Sequence, residues 1–271
     1  MPNKIIHVPH LGGIDAAYQM PLAYDPTKPT LLLINSFTTS SELFRSQFDD
    51  SNLTKKANLL AIEPLGHGQT RTSQKHWTYW DTAHMNLQVL DALGIDKAFL
   101  LGTSQGGWIT VQMALLRPDM VSRIIPLGTS MDSESEHSRQ LGCWDGPTIV
   151  SSFVDQWTNM ASTPDFEPDN VSCDALIAVG FNGCSSADRD LWRSLIKSNY
   201  RGEEGRQRIR MAAINLAERG GLHLRFEGYP LPCALAARNQ GCYSQLVLFD
   251  NGAHFLNWTH PFEVNKAVMD F

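Results

Sequence analysis

The sequence predicts an α/β domain, with a mostly parallel central sheet, helices on both faces and a helical insertion set into the chain. Three observations lead there. Thr30–Ile34 (TLLLI), Asn58–Ile62 (NLLAI), Lys97–Leu101 (KAFLL) and Val121–Leu127 (VSRIIPL) are apolar runs of strand length; the most continuous suit strands buried on both faces. Helical stretches separate these runs, and strand–helix alternation builds a parallel sheet with right-handed crossovers. Between residues 133 and 219 the alternation gives way to polar loops and helical patterns punctuated by Trp144, Phe153, Trp157 and Trp192.

Each element has its own signal. Ile5–Val8 and Ala16–Met20 read as a hairpin turning at Gly12-Gly13, and Lys28-Pro29 introduces the first buried strand. The strand ending at Ile62 runs into a glycine-rich loop, Glu63-Pro64-Leu65-Gly66-His67-Gly68. Asp81–Leu93 places Met85, Val89, Leu90 and Leu93 at helical spacing and stops at Gly94. Trp108–Leu116 is an apolar helix closed by Arg117-Pro118. The alternation resumes weakly at Cys233–Ala237 and ends with Ser244–Phe249 as the last strand, the loop 250–253 and His254. The expected division is a core over 1–132, a helical cap over 133–219 lying above the edge of the sheet, and a shortened return to the core over 220–271. The aromatics of the cap are expected to form its own core.

Composition narrows the partners. A formal charge of -6 and the lack of a basic run argue against nucleic acid and against an anionic membrane surface. The N-terminus lacks the apolar core of a signal peptide, and no apolar stretch is long enough to span a bilayer. Five widely spaced cysteines, Cys143, Cys173, Cys184, Cys233 and Cys242, form no C-x-x-C pair and fit reduced thiols. The expectation is a cytoplasmic protein; the chain stops within a helical pattern, so a longer native C-terminus carrying a peroxisomal address stays open. With no G-x-G-x-x-G and no H-E-x-x-H, no nucleotide cofactor or metal is expected.

Gly102-Thr103-Ser104-Gln105-Gly106 is the most informative stretch. A G-x-S-x-G serine between a strand and a helix sits on a tight turn that lifts its hydroxyl above the sheet, and the flanking glycines admit the close approach of strand and helix. A serine hydroxyl needs a general base. Among nine histidines, His254 is the best placed, after the last strand and downstream of the serine. His67 reads as structural or as a pocket wall.

These pieces, with the Asn35-Ser36-Phe37 turn, the Pro64–Gly68 loop and Gly252-Ala253-His254-Phe255, resemble the α/β-hydrolase superfamily over nearly the whole chain. The runs 127–132 (LGTSMD) and 141–145 (LGCWD) look like fungal α/β-hydrolases, some of them in secondary-metabolite and host-selective-toxin gene clusters. The resemblance implies cleavage of an ester, lactone or thioester of a small or medium apolar molecule through an acyl-serine. It also implies an oxyanion hole made by the main-chain N–H groups of Phe37 and Gln105, where each donor is worth about 3 kcal/mol of barrier. Asn35-Ser36 stands where relatives carry His-Gly, so a different turn is expected there.

The orienting carboxylate is where the pattern departs. Relatives carry it after the seventh strand, but 233–243 holds neither Asp nor Glu. Asp132, after the sixth predicted strand, is the best candidate; Glu134, Glu227 and a bare Ser–His dyad are the alternatives, Asp250 reads as a cap of its loop, and the competing role for Asp132 is to hold its own loop. The shortened segment also leaves apolar surface for the cap or a second subunit to cover, so a homo-oligomer is compatible. Two other readings stay open: a lyase or cyclase using the same pocket, and a non-enzymatic binder with an incomplete triad.

Overall fold

The computed structural model describes residues 3–132, 135–140, 143, 145–159, 164–222, 245–249 and 252–271. Its centre is a sheet of seven strands: β1 Lys4–Val8, β2 Ile14–Gln19, β3 Thr30–Ile34, β4 Asn58–Ile62, β5 Arg71–Thr72, β6 Ala98–Thr103 and β7 Val121–Leu127. The order is β1-β2-β4-β3-β6-β7, with β5 paired to β2. β3, β4, β6 and β7 run parallel, and β1 and β2 form the antiparallel margin. Every residue of β3 and β4 is buried, as their unbroken apolar runs require in a parallel sheet covered on both faces. Ile34 ends opposite Gly102, so the turn after β3 and the turn after β6 meet at one edge.

Two long helices cover the sheet: α3 over Tyr79–Ala92 and α4 over Gln105–Leu116. α3 starts two residues before the expected Asp81. Thr78 and Asp81 form a reciprocal capping box, the Asp81 carboxylate accepting from the Thr78 N–H at 2.7 Å. α4 begins immediately after Ser104 rather than at Trp108. The short helices α1 (Arg45–Asp49) and α2 (Ser51–Lys56) have no counterpart in the sequence expectation. They are too short to show a period; α2 is set by Asp50, whose carboxylate accepts from the N–H groups of Asn52 and Leu53.

The expected last strand is corrected. Residues 245–249 form no ladder, and Leu246 and Leu248 are 83% and 79% exposed. An apolar run signals a strand only if a neighbouring edge receives it, and none does here. The expected segment 233–237 lies outside the described residues.

Five helices follow β7: α5 Glu136–Gln140, α6 Gly146–Asn159, α7 Asn170–Phe181, α8 Ser186–Asn199 and α9 Gly202–Glu218. Trp157, Trp192 and Tyr200 are buried among them, and Phe181 stacks against Trp192 and edge-on to Phe255. The same apolar cluster takes in Phe37 from the turn after β3 and Phe255 from the C-terminal region, so it is shared with the core. Two C-terminal helices close the chain, α10 (Leu256–Thr259) and α11 (Pro261–Asp270). Among the described residues no helix is long and apolar enough to cross a membrane.

Candidate active site

Ser104 stands between β6 and α4 with φ 54 and ψ -116, a conformation that a non-glycine residue adopts only when its surroundings impose it. The surroundings are visible. A Cβ on Gly102 would stand 2.2 Å from the Gly106 backbone, and one on Gly106 would stand 2.2 Å from the Ile34 carbonyl oxygen. Only glycine permits strand and helix to close this far, and their closure holds the serine out.

Gln105 is the first residue of α4, so its N–H has no acceptor one helical turn back. Phe37 lies in the turn that follows β3. The Asn35 side-chain amide donates to the carbonyls of Ser36 and Thr39, Thr39 N–H donates back to Ser36 O, and Thr38 takes the left-handed conformation at φ 58. Asn35 thus ties the turn with its side chain, and the positive φ falls at Thr38. Phe37 and Gln105 line the same cavity as Ser104.

His254 comes from the other side. A Cβ on Gly128, just after β7, would lie 2.8 Å from the His254 carbonyl and 3.3 Å from Nδ1, so the imidazole packs on the turn after β7. Its loop is fixed by Phe255 N–H donating to Gly180 O at 2.9 Å. Burial holds the imidazole below the ordinary histidine range, and no described carboxylate opposes that. Asp132 is not among the residues lining the cavity. Its carboxylate accepts from the Ser135 hydroxyl, which also accepts from Ser138 N–H at the start of α5. Glu134, Glu227 and Asp250 lie outside the described residues.

Ser104, His254, Phe37 and Gln105 line one cavity of about 840 Å3. Trp108, Phe153, Leu176 and Phe255 make its walls largely apolar, and Arg219 enters beside Trp108, its guanidinium 4.9 Å from the ring centroid. Behind the elbow runs a buried hydrogen-bonded chain that no sequence pattern marks. Tyr79 OH donates to Gln105 Oε1 at 3.1 Å, and Gln105 Nε2 lies 3.0 Å from His67 Nε2. His67 Nδ1 lies 3.0 Å from Leu65 O. One tautomer satisfies every member, with His67 carrying its proton on Nδ1 and accepting on Nε2. Burial pushes His67 down to about 4. His67 therefore acts on the site through Gln105, a role visible only once the loop after β4 is packed against the elbow.

The model of the alpha/beta hydrolase fold matches residues 29–165, half of the chain. The chain belongs to the α/β-hydrolase fold family. Among its relatives in this family, the uncharacterised hydrolase YugF of Bacillus subtilis is 29% identical over 127 residues, 46% of this chain and 42% of YugF. The chain thus spans less than half the length of that relative. The (E)-2-((N-methylformamido)methylene)succinate hydrolase of Acinetobacter baylyi is 20% identical over 243 residues, 88% of each chain. Two solved α/β-hydrolases share the fold: a thermophilic esterase from Thermogutta terrifontis (TM-score 0.73, 15% identity, 98% and 97% covered) and the enol-lactonase from Burkholderia xenovorans (TM-score 0.72, 17%, 98% of each).

Proposed function

We propose that this α/β-hydrolase is a serine hydrolase cleaving an ester, lactone or thioester of a small or medium apolar molecule. The supporting observation is Ser104, held at φ 54 on the floor of a largely apolar cavity that His254, Phe37 and Gln105 also line. Ser104 Oγ attacks the carbonyl while His254 takes its proton. The tetrahedral oxyanion is held by the N–H groups of Phe37 and Gln105. His254 returns the proton to the leaving group, and water repeats the sequence on the acyl-serine. The activities of the esterase, the enol-lactonase and the succinate hydrolase agree with carbonyl hydrolysis. A place in fungal secondary-metabolite or toxin biosynthesis is the setting that the resemblance of 127–132 and 141–145 suggests, and a cytoplasmic location goes with it.

Asp132 enters as the candidate orienting carboxylate because the imidazole packs on the turn after β7, in which Asp132 also lies. The test is labelling by a fluorophosphonate probe. Wild type is expected to label and Ser104→Ala to stay unlabelled. In Asp132→Asn, a fall on the order of 10⁴ in turnover assigns the carboxylate to His254. A change within about threefold assigns Asp132 to its bond with Ser135 and leaves a Ser–His pair supported by the oxyanion hole. A folded wild type that never labels sinks the serine mechanism and favours the binder.

A further inference from the structure

A second cavity, of about 560 Å3, lies where β5 and the loop after it meet α9, and shares no lining residue with the catalytic cavity. Arg71 of β5 and Arg208 of α9 both line it, with Lys75 and Trp77 between them in sequence. The Arg208 side chain is only 14% exposed. Burial holds both guanidiniums below the ordinary arginine range, and the charge of Arg71 presses Arg208 down further. Two half-buried cations this close are unfavourable unless negative charge compensates them.

Glu63 and Glu204 favour the charged Arg71, and Glu204 the charged Arg208, but burial outweighs them. Glu204 stands 3.9 Å from Arg208 but is 90% exposed. Glu63 already accepts from Asn3, Gln69 and twice from Ser41. Asp15 is paired with His7 at 2.9 Å. Around Arg208 the surplus is of donors. Arg71 gives Nη1 to the carbonyls of Gly68 and Thr70, and Arg208 gives Nη2 to Asn199 O at 2.7 Å. Arg208 Nε, Trp77 Nε1, Asn199 Nδ2 and the Tyr200 hydroxyl are buried with no partner among the described residues. Such groups are rare in folded proteins, and two of them, Arg208 Nε and Trp77 Nε1, belong to residues that line this cavity.

We propose that this seam between core and insertion is a binding site for an oxyanion, a phosphate or carboxylate group held between the guanidiniums of Arg71 and Arg208. A guanidinium fork matches such an anion in charge and shape. The anion joins β5 of the core to α9 of the insertion. Because α9 also sends Leu216 into the catalytic cavity, occupancy of the seam bears on the wall of that cavity. The site stands independently of the serine mechanism.

The test is thermal unfolding of the full chain during titration with inorganic phosphate, against sodium chloride at equal ionic strength, with a parallel titration by succinate. The expected result is a saturable rise in midpoint of about 2–4 °C once the anion exceeds its Kd about fivefold, with chloride inert. The rise is lost in the Arg71→Gln, Arg208→Gln double variant. Saturation by phosphate alone, by succinate alone or by both supports the site and names its preference. Should the double variant not fold, Arg208→Lys replaces it: a Kd raised about tenfold supports the guanidinium fork, and an unchanged Kd overturns it. An equal response to chloride, or an undiminished response in a folded double variant, overturns the site.

Discussion

Ser104 and His254 face one cavity but are held by interactions of different range. The serine is set by its own neighbours: Gly102 and Gly106, each within two residues, admit the contact between β6 and α4, and Ile34 of the adjoining strand backs the turn. The histidine is set by residues far from it in sequence. Its ring packs on Gly128 after β7, and the next residue, Phe255, bonds to Gly180 in α7 and lies against it. Ser104 therefore depends on the sheet and His254 on the turn after β7 and on α7, and damage to one side need not resemble damage to the other.

Ser104→Ala breaks the comparison most sharply. It removes the proposed nucleophile and no packing, so turnover is expected to fall about 10⁶-fold. The melting temperature should stay within about 1 °C, because alanine keeps the Cβ and the same backbone strain and loses only a hydroxyl that faces the cavity. Kinetics and melting on the same sample check both halves. Gly106→Ala attacks the serine side through the backbone. The new methyl would stand 2.2 Å from the Ile34 carbonyl, which cannot step aside without disturbing β3. Stability is expected to drop by about 3 kcal/mol or more, seen as about 6–12 °C in the midpoint.

Acid probes the chain behind the elbow. His67 is pushed from the usual 6.5 down to about 4 in the fold, so the folded state favours the neutral ring. The stability this gives is complete above pH 6.5 and is lost as pH falls from 6.5 through 4, by about 3 kcal/mol in all. Denaturant melts across that range should show the loss, and His67→Gln, which cannot titrate, should flatten it. Histidine 254 is lowered by burial as well, so the acid limb of the turnover profile should fall below the ordinary histidine value. A smaller stability effect than that of Gly106→Ala is expected on the histidine side. In Gly180→Ala the methyl would meet the Phe255 ring at 2.2 Å, and a ring can move where a strand cannot. A cost of about 1–2 kcal/mol, with a disproportionate loss of serine labelling, would show that α7 positions the base. Labelling that falls only in step with stability would remove α7 from the site.

Legibility followed the same division. The strands Thr30–Ile34 and Asn58–Ile62 announce themselves because burial on both faces demands unbroken apolar runs. The elbow announces itself because no other residue fits where Gly102 and Gly106 stand. By contrast, the run 245–249 has the composition of a strand and remains exposed, since composition cannot show whether an edge is there to receive it. α1 and α2 were hidden by their length. The tie from His67 to Gln105 was hidden too, because each residue read alone is an ordinary loop histidine or helix glutamine.

By itself, then, the sequence determined the parallel sheet and the place of Ser104 at the turn after β6, and it put His254 forward among nine histidines. These follow from period, from the steric need for glycine and from chain order, all of which are local or ordinal. Tertiary structure alone decided that His254 packs on Gly128, that Gln105 is anchored to His67 and Tyr79, that Asp132 bonds to Ser135, and that Arg71 and Arg208 share a seam. Each of those is a contact between side chains brought from separate elements, and the free energy of such a contact depends on burial and distance, which only the packed chain possesses.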